Sequence, residues 1–97
     1  MSVQETVRLK IAEAMPQLKR NFPIKQLALF GSVIRSDFDA SKSDVDILVE
    51  FNAEVGYEFI ELSEKLQQIL ERKVDLVSKG ALKPHHWDYL KTRIEYV

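Results

Sequence analysis

The chain has 97 residues, of which 45% are hydrophobic and 30% are charged, a composition typical of a folded domain rather than of a disordered or fibrous chain. Lysine and arginine number 14 against 15 aspartates and glutamates, so the net charge of −1 gives no strong signal for nucleic-acid binding. Because cysteine is absent, a disulfide framework and a thiolate metal site are both excluded.

At the start of the chain we expect neither a signal peptide nor a membrane span. Residues 1–15 contain charged residues throughout and lack the continuous apolar segment of a signal peptide or a membrane span. No repeat, low-complexity segment or composition shift divides the chain. We therefore expect a single domain over residues 1–97, located in the cytoplasm and without a membrane partner.

The first predicted element is a helix. Ser2 is followed three residues later by Glu5, which is a capping-box pattern, and apolar residues then recur at helical spacing over residues 3–15. Pro16 lacks a backbone donor but is tolerated in a first helical turn. We therefore expect a break at Pro16 and a short second helical turn through residue 20.

A strand, a turn and a second strand are predicted next. Residues 26–30 form a nearly continuous apolar run, typical of a strand covered on both faces. Gly31 ends the run, and Ser32 is well suited to cap a brief helical turn over residues 33–35. A polar loop follows, and residues 45–51 are predicted to form the second strand.

The second half of the chain predicts a helix, a strand and a last helix. Apolar residues at helical spacing indicate a helix over residues 57–71, and a short apolar run indicates a strand over residues 73–77. Pro84 begins the last predicted helix, in which Trp87, Leu90 and Ile94 are expected to face the core.

Three aspartates are candidates for metal binding. Residues two apart on a strand point to the same face at a separation of roughly 6.5 to 7 Å, so Asp44 and Asp46 present adjacent carboxylates. Asp75 lies in the third predicted strand and can add another. Because neighbouring carboxylates repel unless a cation lies between them, this pattern is typical of a site for one or two Mg²⁺ ions with substrate phosphates.

The Gly31–Ser32 turn is a candidate phosphate-binding site. Glycine lets the chain approach a ligand closely, and exposed amides at the start of a helical turn attract a phosphate. Ser32 adds a hydroxyl donor. Arg35, one turn further on, can reach a phosphate or pair with a nearby acid such as Asp37.

These motifs resemble the minimal nucleotidyltransferases of the DNA polymerase β-like superfamily, small prokaryotic proteins that are often the antitoxin partner of a HEPN-domain toxin. The family signature is a Gly-Ser turn, a loop, Asp-x-Asp and a later strand aspartate. Here it consists of Gly31-Ser32, eleven residues, Asp44-Val45-Asp46 and Asp75. The segments LALFGSVIR, SDVDILVEF and ERKVDLV also resemble family segments. The loop is one residue longer than the commonest family form, and Ser36 stands where many members have glycine, which leaves the role of Arg35 open.

The resemblance implies an α/β (α+β) fold of the polymerase β-like type, with a small mixed sheet of about three strands flanked by about four helices. It also implies transfer of a nucleoside monophosphate, AMP from ATP, to a hydroxyl of a HEPN partner, with Mg²⁺ as cofactor, in two ions. The implied site residues are Asp44, Asp46 and Asp75 for catalysis and metal binding, and Gly31, Ser32 and Arg35 for nucleotide binding.

A catalytically silent binding module is the alternative: an antitoxin that keeps the fold and neutralises its partner by complex formation alone. The intact cluster of acids favours the enzyme. An antibiotic-modifying transferase would need a second domain to hold the drug, which 97 residues do not supply. The choice of nucleotide, the identity of the acceptor and the oligomeric state, homo-oligomer or hetero-oligomer, stay open.

Overall fold

Residues 2–35 and 44–97 are described by the computed structural model of the chain. The helices in these ranges are α1 (Val3–Asn21), α2 (Glu58–Leu70) and α3 (Pro84–Leu90), and the strands are β1 (Ile24–Phe30), β2 (Val45–Phe51), β3 (Val74–Ser78) and β4 (Glu95–Tyr96). Two short 3₁₀ helices, Gly31–Ile34 and Lys79–Ala81, follow β1 and β3. Within the same ranges, no helix is long and apolar enough to cross a membrane.

The four strands form one mixed sheet in the order β3-β2-β1-β4. β2 is antiparallel to β1 and parallel to β3, and β4 pairs with the other side of β1 in antiparallel orientation. The parallel pair requires a crossover connection, which α2 provides. β2 therefore lies in the interior of the sheet, with a hydrogen-bonded neighbour on each side.

One face of the sheet packs against α1 and α2 to form the core. Along β2, Val45, Ile47 and Val49 are all fully buried, and their spacing of two turns them to the same face. They belong to one apolar cluster with α1 and α2, whose buried members are Val7, Ile11, Leu18, Leu62, Leu66 and Leu70. The alternate residues of β2, which include Asp46, consequently point to the opposite face.

The first helix begins as predicted but does not break. The Glu5 backbone N–H donates to Ser2 Oγ at 3.1 Å, so the N-terminal cap is present. Pro16 lies inside a continuous α1, and the predicted break there is wrong. Pro16 and Ala12, whose carbonyl loses its helical partner, are both exposed to water, while Leu18 in the following turn is fully buried. Core packing beyond the proline therefore keeps the helix continuous.

The C-terminal segment differs from its predicted structure. The predicted last helix ends at Leu90, before Ile94, and none of its residues is buried, so the inward stripe expected of Trp87 and Leu90 is wrong. The chain then turns back to form β4 against β1, and the Val97 N–H donates to the Leu27 carbonyl at 2.9 Å. Without β4, this edge of β1 would present unpaired backbone N–H and C=O groups, and pairing with β4 satisfies some of them.

The fold class is confirmed, with two corrections to its details. The sheet has four strands in the described ranges instead of three, and the flanking elements are three α-helices and two 3₁₀ helices instead of four helices. The bounds of β1, β2, α2 and β3 agree with the predicted bounds to within two residues. The error in strand number comes entirely from β4, which has only two residues.

Replacement of the proline inside α1 should stabilise the protein. Proline in a helix interior is about 3 kcal/mol less favourable than alanine. Proline also lowers the conformational entropy of the unfolded chain, which offsets about 1 kcal/mol of that difference. We expect Pro16→Ala to raise the free energy of unfolding by about 1 to 2 kcal/mol, as measured by urea denaturation. Glu13→Ala, at another exposed position of α1, is the control and should change it by less than about 0.5 kcal/mol. Equal stability of Pro16→Ala and wild type would contradict a continuous helix.

Candidate active site

The candidate site is centred on Asp46, on the sheet face opposite the core. In the strand register, Asp46 lies directly beside Phe30 of β1 and beside Asp75 of β3. Neighbouring strands are about 4.8 Å apart, so the two carboxylates are close although they are 29 residues apart in the sequence. Burial of Val45 and Ile47 on the other face holds Asp46 in this orientation.

The charges around Asp46 interact with one another. Burial raises the pKa of Asp46 above its ordinary value, and the negative charges of Asp75 and Asp44 raise it further. The positive charge of Arg35 acts on the same pKa in the opposite direction. Asp44 immediately precedes β2, and both Asp44 and Asp75 are exposed. The structure thus brings the three predicted aspartates and Arg35 into one electrostatic cluster.

The carboxylates fit a metal–nucleotide complex better than a preformed metal cage. Among the residues described, no three aspartate, glutamate or histidine side chains converge closely enough to hold one ion. Mg²⁺ prefers one or two carboxylates and completes its octahedral shell with waters and substrate phosphates. Asp46 and Asp75, paired side by side and mutually repulsive, supply that donor set. The role of Asp44, Asp46 and Asp75 as metal ligands stays a prediction.

Gly31 is the point at which the chain comes closest to Asp46. Its φ of +72° lies in the left-handed region that side chains disfavour, and a Cβ built on it would overlap Asp46 Oδ2 and lie 3.1 Å from Asp46 Cγ. No other residue type fits this position without displacing the carboxylate. The glycine predicted for close approach to a ligand therefore also makes room for the central aspartate.

The turn after β1 differs from its predicted form. The 3₁₀ helix begins at Gly31, and no side chain caps it, so the expected cap by Ser32 is wrong. Ser32 lies inside the turn because the left-handed glycine starts the turn one residue earlier, and the Arg35 N–H closes it by donating to the Ser32 carbonyl at 3.1 Å. Val33 is buried and anchors the turn to the core.

Arg35 is predicted to contact either a phosphate or a nearby acid. Arg35 ends the turn, is exposed, and acts electrostatically on Asp46. Its alternative partner, Asp37, lies outside the described residues. The assignment of Gly31, Ser32 and Arg35 to nucleotide binding stays a prediction.

Two C-terminal residues absent from the predicted site adjoin it. A cavity of about 550 Å³ is lined by Gly31 and Asp46 on one side and by Tyr89 and Arg93 on the other. The four-residue spacing of Tyr89 and Arg93, which favours contact between side chains on a helix, is a weak signal for the pair in the sequence. Nothing in the sequence places that pair beside Asp46, because the proximity depends on how the C-terminal segment folds back.

Comparison with known proteins identifies the family. Residues 10–96 match the sequence profile of the nucleotidyltransferase domain family. The chain belongs to this family. A Methanocaldococcus jannaschii protein with the provisional name protein adenylyltransferase is 46% identical over 79 residues, which are 80% of this chain and 76% of that protein. Protein adenylyltransferase MntA of Thermococcus cleftensis is 41% identical over 68 residues, which are 69% of this chain and 68% of that protein.

Solved structures support the same fold. One provisionally described as a minimal nucleotidyltransferase is 26% identical, with a TM-score of 0.79, and the match covers 97% of this chain and 94% of that one. Another match is to a chain from a complex of a tri-AMPylated Shewanella oneidensis HEPN toxin with its MNT antitoxin. It is 25% identical, with a TM-score of 0.66 and coverage of 93% and 70%. The family resemblance of the sequence is confirmed.

The close contact at Gly31 predicts a strong penalty for a single methyl group. Gly31→Ala forces alanine into the left-handed region and against Asp46, so we expect the free energy of unfolding to fall by about 1 to 3 kcal/mol in urea denaturation. Gly56→Ala is the matched control, because Gly56 is exposed and a Cβ there meets nothing within 4 Å. The control should change stability by less than about 0.5 kcal/mol. Similar stabilities of the two variants would contradict the close approach of Gly31 to Asp46.

Burial of Asp46, together with the negative charges of Asp75 and Asp44, predicts that replacing its carboxylate stabilises the protein when divalent cations are removed. The folded-state pKa is raised, so the ionised carboxylate disfavours folding at neutral pH. In EDTA at pH 7, Asp46→Asn should raise the free energy of unfolding by about 0.3 to 1 kcal/mol after solvent screening. The advantage should disappear as the pH falls below the ordinary pKa of aspartate, where wild-type Asp46 is protonated in both states.

The control for this pH series is Asp88→Asn. Asp88 is an exposed carboxylate whose partner is Lys91, at 3.1 Å, so its removal ends an attraction and should give no stabilisation. Thermal or urea unfolding from pH 3 to 7 measures both variants. If Asp46→Asn is less stable than wild type at pH 7 in EDTA, the unfavourable environment of the ionised Asp46 carboxylate is refuted.

Proposed function

We propose that this protein is an Mg²⁺-dependent protein adenylyltransferase that transfers AMP from ATP to a hydroxyl of a HEPN toxin and so acts as its antitoxin in the cytoplasm. The observation that carries the proposal is that Asp46 and Asp75 are partners in the β2–β3 register and that Gly31 approaches Asp46 closely. Both features occur in a chain of the nucleotidyltransferase family. The names of its relatives and the AMPylated HEPN toxin of a similar complex support the choice of nucleotide and partner.

In this proposal the triphosphate binds at the turn after β1. Gly31 has no side chain to block the phosphates, and the amides of the 3₁₀ helix that begins there supply hydrogen-bond donors. Ser32 adds a hydroxyl, and Arg35 adds a positive charge near Asp46. Bound Mg²⁺ would neutralise phosphate charge and stabilise the entering and leaving oxygens. Asp44, Asp46 and Asp75 would hold it.

The acceptor hydroxyl approaches Asp46 from the β3 side, opposite the turn after β1 at which the triphosphate binds. Its oxygen forms a bond to the α-phosphorus while the bond from that phosphorus to the oxygen bridging to the β-phosphate breaks, and pyrophosphate leaves. Asp75 lies on this side and is exposed, so its carboxylate is placed to orient the hydroxyl and receive its proton. Our assignment of Asp75 to the acceptor rests on this position.

A protein acceptor suits the open geometry of this side. β3 is the edge strand of the described sheet, and Asp75 and Asp44 are both exposed. A bulky partner can therefore present a side-chain hydroxyl without entering a deep pocket. The absence of cysteine agrees with a reducing cytoplasm, where ATP is available.

Transfer of label tests the proposal. The protein is incubated with ATP labelled at the α-phosphate, Mg²⁺ and a co-purified HEPN partner, and label on the partner is measured after gel separation. Wild type should label the partner, and Asp44→Asn/Asp46→Asn should lower the rate by at least about 100-fold, because the central carboxylates are lost. Chelation of divalent cations should abolish the labelling.

Glu50→Gln is the matched control for loss of a carboxylate from β2. Glu50 lies on the same strand as Asp46 but pairs with Lys25 and Lys79, each at 3.5 Å, away from the aspartate cluster. It should label the partner at a rate close to that of wild type. Tight complex formation and full neutralisation of the toxin by the double variant, with no labelling by wild type, would favour the binding module instead.

A further inference from the structure

The cavity next to Asp46 is open to the nucleotide side of the candidate site. Its volume, about 550 Å³, lies within the range of small-molecule pockets. Gly31 and Asp46 form its inner end, so whatever occupies it is continuous with the proposed phosphate position. Its outer wall comes from the C-terminal segment, through Tyr89, Leu90 and Arg93.

The outer wall carries an organised aromatic and cationic pair. The guanidinium carbon of Arg93 lies 4.1 Å from the centroid of the Tyr89 ring, and the same guanidinium donates to the Tyr89 carbonyl. Both residues line the cavity, and Tyr89 is nevertheless 63% exposed. An aromatic ring with a guanidinium over it offers a flat, polarisable surface of the kind on which nucleic-acid bases stack.

The cavity and the proposed acceptor position lie on different sides of Asp46. Asp46 has Phe30 of β1 on one side and Asp75 of β3 on the other, and Phe30 is among the residues that line the cavity. The cavity is therefore on the β1 side of Asp46, which is also the side of the Gly31 turn. The proposed acceptor approaches from the β3 side, so the cavity is available to the nucleotide.

The apolar and aromatic lining favours a nucleoside over a second phosphate group as the occupant. The wall combines apolar residues, Phe30, Ile34 and Leu90, with the Tyr89–Arg93 pair, and Arg35 joins Gly31 and Asp46 among the lining residues. A base needs an apolar and aromatic surface, and the triphosphate attached to it needs the inner end. This order of surfaces matches the order of groups in a nucleoside triphosphate.

We propose that this cavity is the nucleoside subsite of the enzyme, in which the base of the nucleoside triphosphate packs against the Tyr89–Arg93 pair. The inference rests on the proposed function and adds to it the position of the base. Tyr89 is then a residue that determines affinity for the nucleoside and takes no part in the chemical step. Since stacking on Tyr89 uses the π-face common to all bases, Tyr89 contributes to affinity more than to the choice among bases.

Calorimetric binding tests the subsite with two probes. One is an ATP analogue with a methylene group between the α- and β-phosphates, which cannot transfer AMP, and the other is inorganic tripolyphosphate, each with Mg²⁺. Tyr89→Ala should weaken binding of the analogue by about tenfold, the effect expected from loss of one stacked base, and leave tripolyphosphate within about twofold. Tyr89→Phe keeps the ring and should bind both probes like wild type.

The matched control is Tyr57→Ala. Tyr57 is 65% exposed, close to the 63% of Tyr89, but it precedes α2 and does not line this cavity. The control should bind both probes like wild type, and unchanged thermal unfolding of Tyr89→Ala would show that its fold is intact.

The subsite is overturned if Tyr89→Ala binds the analogue as tightly as wild type, or if it weakens tripolyphosphate equally. Normal binding of the analogue combined with loss of labelling would assign the cavity to the acceptor and also overturn the subsite. In the first two cases partner labelling by wild type leaves the proposed transferase function intact. If wild type binds neither probe and transfers no label, the proposed function and the subsite both fail.

Discussion

The register of β2 between its two neighbours is the constraint on which the site depends. Val45, Ile47 and Val49 are buried on the helix side, and each contributes about 1.5 to 3 kcal/mol by leaving water. A slip of one residue would expose all three and turn Asp46 into the core. The partial burial of Asp46 and the charges of Asp75 and Asp44 raise its pKa, but burial of the three apolar residues outweighs this cost. The core therefore determines where the carboxylate lies.

The same register divides the site into two sides. Asp46 has β1 and its glycine turn on one side and Asp75 at the sheet edge on the other. In our proposals, this keeps the nucleotide and the protein acceptor on different sides of the central carboxylate, with the nucleotide in a cavity and the acceptor at an open edge of the sheet.

The C-terminal segment forms one wall of the cavity next to Asp46, although α3 buries none of its residues. Its position depends on β4, which pairs with β1, and on Glu95, whose carboxylate accepts a hydrogen bond from Gln4 at 2.7 Å and pairs with Arg8 of α1. Exposed ion pairs contribute little stability individually. The backbone pairing with β1 is therefore the main support for the segment that carries Tyr89.

Local sequence patterns were enough to predict the start of α1 at its Ser2 cap, the bounds of β2, and the family signature from Gly31 to Asp75, because caps, strand alternation and motif spacing are local properties of the chain. They could not predict the continuity of α1 across Pro16, the pairing of β4, or the cavity between Gly31 and Tyr89. Each of these depends on contacts between distant segments, whose energies outweigh weak local preferences and leave no periodic pattern in the sequence.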